Sequence, residues 1–248
     1  MFGLSMSNLL FKSTNLGTDH EISCVDGRSF FPPGVRIQML GGSINVLILL
    51  AIVTDKEFDE SFVRANSKIL LDAGVSLGVH RGSHAHGGNS DCGFADRLKD
   101  IINTAKINTN VITKKINQIA ITNGLSLERE LELAMNKLRS YDENKIKISA
   151  NELVALFEQI GASVVEMQGD HGEKACFVNL VVGTTHDTNS AKEQIFNLDL
   201  WEVVKEGKLL GIDDNLTIGL TLILYLATEM VLVEAKGKPA LEVFLNKQ

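Results

Sequence analysis

Apolar residues along this chain are spaced in three ways, and each spacing predicts a different element. In EFDESFVRANSKILLDAG (57–74) they recur at helical intervals and stop at Gly74, which predicts a glycine-capped helix. LSLERELELAMNKLRSYDEN (125–144) is the clearest amphipathic run, within a polar stretch from Phe94 to about Lys147 that predicts two or three helices. ISANELVALFEQIGA (148–162) predicts a helix opened by Ser149 or Asn151 and closed by Gly161. Short apolar runs bounded by turn residues, VSLGVH (75–80), SVVEM (163–167) and KACFVNLVV (174–182), predict buried strands. A third spacing has no period at all. SINVLILLAIV (43–53), after Pro32-Pro33-Gly34 and the Gly41-Gly42 break, and the stretch from about Asn215 to Glu234, which reads as a long apolar helix, are apolar on every side. Their short lengths, with Asn45, Thr217, Thr221 and Glu229 inside them, favour buried core elements over membrane spans.

Strands alternating with helices predict an α/β fold: a mainly parallel central sheet flanked by helices. No repeat or interdomain linker breaks residues 1–248, so the expectation is a single domain with an enlarged helical stretch around 100–148.

Composition narrows the classes of function. A net charge of -7 and a pI near 5.4 argue against a general nucleic-acid or acidic-membrane binder, which would show a basic patch. Three cysteines, Cys24, Cys92 and Cys176, argue against a disulfide framework and leave metal or reactive roles open. The opening MFGLSMSNLLFKS lacks a basic region ahead of its apolar residues, and the expected location is the cytoplasm.

The chemistry concentrates in two places. CVDGR sets Cys24 two residues before Asp26 and four before Arg28, and VHRGSHAHGGNSDCG brings His80, His84, His86 and Cys92 together. Thiolates plus one imidazole suit zinc or cadmium, whereas calcium or magnesium would require oxygen ligands. Three protein ligands leave a fourth position for water, whose pKa on such a metal falls from 15.7 to about 7. If Cys24 is a ligand, Asp26 is close enough in sequence to accept a hydrogen bond from that water, with Arg28 holding the carboxylate ionised. Taken singly, CVDGR is more often a turn beside a buried cysteine, and a strand-end histidine is more often a satisfied polar residue. Their joint occurrence is what raises the metal reading.

These motifs resemble a carbonic anhydrase, specifically the repeat unit of the cadmium-type (zeta) class, related in fold and site to the beta class. Cys-X-Asp-X-Arg is shared with the beta class, but its His-X-X-Cys-Gly motif fails because Asn89 stands three residues before Cys92. GVH ending at His80 and CGF starting at Cys92 match the cadmium-type pattern instead, as do GASVVEMQGDHGEKACFVNLV (161–181) and FNLDLW (196–201) more loosely. The resemblance implies Cys24, His80 and Cys92 as ligands of Zn2+ or Cd2+, and Asp26 with Arg28 as the dyad that orients bound hydroxide. It also implies reversible hydration of carbon dioxide to bicarbonate on a beta-class-like fold.

The segment from His80 to Cys92 is longer than the pattern expects. His84, His86 and His171 are therefore candidates for a proton shuttle or an alternative ligand. Gly41 and Gly42 are candidates for lining the substrate pocket, or for permitting a tight bend. Asp91 is a candidate to close the open metal position. Cys176 and Trp201 read as core residues, and His20 and His186 show no partner pattern. Carbon dioxide or bicarbonate is the expected partner, with no nucleic acid and no membrane, in a monomer or homodimer. Two rivals accompany this reading: a carbon disulfide or carbonyl sulfide hydrolase on the same site, and a non-catalytic metal-binding descendant.

Overall fold

Local signals start and stop two of the helices, Glu60–Asp72 and Ala150–Gln159. The computed structural model describes residues 20–24, 35–39, 41–81, 93–122, 126–166 and 210–235. In chain order they form β1 (His20–Cys24), β2 (Val35–Met39), α1 (Ser43–Thr54), α2 (Glu60–Asp72), β3 (Val75–Arg81) and α3 (Gly93–Asp96). Then come α4 (Leu98–Ile107), α5 (Thr109–Thr122), α6 (Glu128–Ser140), α7 (Ala150–Gln159), β4 (Ser163–Glu166) and α8 (Asp214–Ala235). Asp59 caps α2 by accepting from the Phe62 N–H at 2.8 Å, and Gly74 follows the helix at φ 81°. Helix α7 opens on a capping box between Ser149 and Glu152, and Gly161 follows it at φ 81°. The Ser149 backbone and hydroxyl donors hold the Glu152 carboxyl below its ordinary pKa.

The expectation of a mainly parallel central sheet flanked by helices is corrected: the described residues are mostly helical. Helices of 22, 14, 13, 13 and 12 residues stand against strands of 7, 5, 5 and 4. The strands pair in parallel in the order β2-β1-β3-β4, but they supply none of the largest fully buried side chains among the described residues. Among the described residues the largest fully buried side chains, Tyr141, Phe58, Phe157, Ile44, Leu47, Ile48, Leu49 and Ile52, come from helices and the turns joining them. Alternating segments suggest α/β, but a run without period does not reveal whether it buries itself as strand or helix. Helices α4, α5 and α6, which read as an enlargement of a sheet-centred unit, pack instead on α8.

Helix α1 links the strands to this helical body. Every residue from Ser43 to Ile52 is buried, as a helix apolar on all sides requires. It touches β1 and β3 on one hand and α2, α6 and α8 on the other. Helix α8 approaches α6 closely at Gly219, where an added Cβ would lie 2.5 Å from the Glu130 carbonyl oxygen and 2.8 Å from the Ala134 Cβ. The buried hydroxyls of Thr217, Thr221 and Thr228 donate to carbonyls four residues back at 2.9, 2.7 and 2.7 Å, so they sit in the core satisfied. No helix among the described residues is long and apolar enough to cross a membrane.

The carboxyl end of α1 is held by polar groups from distant parts of the chain. Lys137 Nζ donates to the Val53 carbonyl at 3.1 Å. Lys145 Nζ donates to the Asp55 carbonyl at 3.0 Å and pairs with its carboxylate at 2.6 Å. These cations complement the negative end of the helix dipole, for which the last turn of α1 supplies no basic residue. The Tyr141 hydroxyl donates to the Lys56 carbonyl at 3.1 Å, and burial, with Asp55, Asp142 and Glu57 nearby, pushes its pKa well above the ordinary phenol value. Lys106 donates to the Tyr141 carbonyl and to Glu143 Oε2, the latter at 2.8 Å. That bond is the main reason the Glu143 carboxyl titrates below its ordinary range.

Candidate functional site

The carboxyl ends of parallel strands are where ligands gather in folds that carry them, because loops and helix amino termini converge there. Strands β1 and β3 are parallel neighbours in the register His20↔Val75, Glu21↔Ser76, Ile22↔Leu77. Continued two steps, this register brings Cys24, the last residue of β1, level with the residue before His80. Cys24 is also the partner of Met39 on β2, and His80 that of Val165 on β4. Two of the three predicted metal ligands therefore lie on adjacent strands at one edge.

The same edge receives the amino end of α1. Gly41 (φ 73°) and Gly42 (φ 51°, ψ -127°) turn the chain from β2 into the helix, so the glycine pair does permit a tight bend. Gly41 is also a point of contact. A Cβ added there would lie under 3.0 Å from three atoms of the Phe94 ring, which is 4% exposed. No larger residue leaves room for that ring. Beside it, the buried Ser43 hydroxyl accepts from the Gly78 N–H at 3.0 Å and donates toward the Gly78 carbonyl at 3.3 Å. The β1–β3 ladder ends at Leu77, and Ser43 bonds the next residue of β3, which is also level with Ser163 on β4.

Sequence reasoning named Gly41 and Gly42 but missed what they meet. Phe94 stood in the quoted CGF motif, and Ser43 directly follows the glycine pair; their partners are 53 and 35 residues away, too far for any local signal. Asp26, Arg28, His84, His86, Asp91, Cys92 and His171 lie outside the described residues, as do Cys176, His186 and Trp201. Among the described residues, no group of three or more His, Cys, Asp or Glu side chains is arranged to hold a metal ion.

A surface cleft of about 1020 Å³ lies between α5 and α6, lined by groups that include Asn110, Thr113, Lys114, Asn117, Glu128, Glu132 and Arg139. Neither helix carries a predicted site residue. Compared with protein-family models, with curated proteins and with solved structures, the chain matches none.

Proposed function

We propose that this chain is a metal-dependent carbonic anhydrase, a lyase of the cytoplasm that interconverts carbon dioxide and bicarbonate. The observation that carries the reading is the placing of Cys24 and His80 at the carboxyl ends of adjacent parallel strands. Neighbouring strands run about 4.8 Å apart, so the two backbones lie close at that edge; with Cys24 level with Val79, a shared ion would sit beyond the strand ends rather than on one face of the sheet. That pair fits zinc or cadmium and does not fit calcium or magnesium.

Cys24, His80 and Cys92 would hold the ion, and when bound it supplies the Lewis acidity that brings the pKa of water toward neutrality. Asp26, through its carboxylate oxygens, accepts a hydrogen bond from the reacting water and fixes its orientation. Arg28 keeps that carboxylate ionised by charge-assisted hydrogen bonds. His84, His86 and His171 are the imidazoles available to carry the released proton to solvent, since their ordinary pKa of about 6.5 suits that transfer. Gly41 and Gly42 make the tight bend that leads from β2 into α1 at this edge, with the Phe94 ring seated on Gly41.

Stopped-flow carbon dioxide hydration by the purified chain, with metal content measured on the same sample, tests the reading. Metal-dependent hydration is expected, and its loss in both Asp26→Ala and Cys92→Ser. Stoichiometric metal with no hydration would overturn it and favour carbon disulfide or carbonyl sulfide as substrate.

A further inference from the structure

Helix α6 carries a stripe of charge along its side of the cleft that it forms with α5. Glu128, Glu132, Met135 and Arg139 stand at i, i+4, i+7 and i+11, which is one face of a helix, and all four line the cleft. Glu128 and Arg139 are 11 positions apart (139 minus 128), about 16 Å along the axis at about 1.5 Å per residue, so they cannot pair within one chain. Among the described residues no ion pair involves either of them, nor Glu132, nor Lys114 across the cleft, and all four are exposed. Lys137, the other base in the last turn of α6, is by contrast engaged with the Val53 carbonyl.

An acid in the first turn and a base in the last suit the dipole of any helix. The same order makes this stripe complementary to a copy of itself running the other way. About a two-fold axis at the centre of the stripe, Glu128 of each copy meets Arg139 of the other, and the contact is made twice. A foreign helix would need that order of charge by coincidence, whereas a second copy has it already. Ile121, 71% exposed although it lines the cleft, is the large apolar side chain that such a contact covers. We infer that the α5–α6 face is a self-association surface, on which two copies of this chain pack helix pair to helix pair as a two-fold dimer held in register by reciprocal Glu128–Arg139 ion pairs. The inference does not depend on the metal reading.

Sedimentation of the full chain over a range of concentrations, under reducing conditions, tests this. The wild type should be a dimer that dissociates on dilution, and more readily in 1 M salt. Glu128→Arg and Arg139→Glu each set like charges opposite one another twice, and each should weaken self-association about tenfold or more. Mixed in equal amounts, the two variants should recover a dimer, because every reciprocal pair between unlike variants is again of opposite sign. That recovery is the readout that a merely structural role for either side chain would not produce. Thermal melts run alongside confirm that the variants fold. A wild type that stays monomeric at every concentration would overturn the inference. So would a dimer that neither substitution weakens, or two weakened variants that fail to pair with each other.

Discussion

The two ends of α1 are held by different forces. At the amino end the contacts are steric and uncharged: a ring seated on Gly41, and a serine hydroxyl bridging to Gly78. At the carboxyl end they are ionic and dipolar, with Lys137 and Lys145 on the last carbonyls and Lys106 on Glu143. Fit defines one end to within tenths of an ångström but tolerates no added atom. Charge tolerates displacement but yields to salt and acid. The end held by fit is the end at which the proposed site lies.

Substitution separates the two. The largest effect is expected from Gly41→Ala, which adds a Cβ against the Phe94 ring and forces an L residue to φ 73°. Overpacking and a left-handed backbone together should cost about 2–5 kcal/mol, unchanged by salt, as read from urea denaturation. Ser43→Ala comes next at about 1–3 kcal/mol, because the Gly78 backbone is left short of a partner in a buried place. An unchanged urea midpoint for either variant would break the claim that fit governs this end.

At the other end, Lys145→Met should cost under about 1 kcal/mol, since the Asp55 side chain it pairs with is 61% exposed, and 1 M salt should erase most of the difference. A loss that persists in high salt would mean that packing, rather than charge, holds that end too. The smallest effect is a pH dependence. The Glu143 pKa is lowered in the folded chain, so the bond to Lys106 stabilises above the ordinary carboxylate value of 4.5 and is lost as pH falls through the lowered one. Melting temperatures of wild type and Glu143→Gln should therefore differ at neutral pH and converge in acid; a constant gap would remove Lys106 as the cause.

The sequence was legible where the cause was local. The Gly74 stop of α2, the Ser149–Glu152 box of α7 and the amphipathic face of α6 each depend on residues within a turn or two, and each lies where its pattern predicts. So does His80 at the end of β3. The fold class was not legible, because SINVLILLAIV is equally apolar as strand or helix and only its neighbours decide. Of the candidate site, Cys24, His80, Gly41 and Gly42 have described backbone positions. The contacts that hold the glycine corner join residues dozens of positions apart, which a pattern of period 2 or 3.6 does not encode.

Helix α1 also sets a constraint on how the chain can be made. It is apolar on every side, and one of the helices that covers it is α8, whose first residue follows the last of α1 by 160 positions (214 minus 54). At about 5–20 residues per second a ribosome takes on the order of ten seconds to cross that distance. Throughout that interval the most hydrophobic segment of the described chain has emerged without its full cover. Until α8 has been made, that apolar surface is open to chaperone binding and to aggregation.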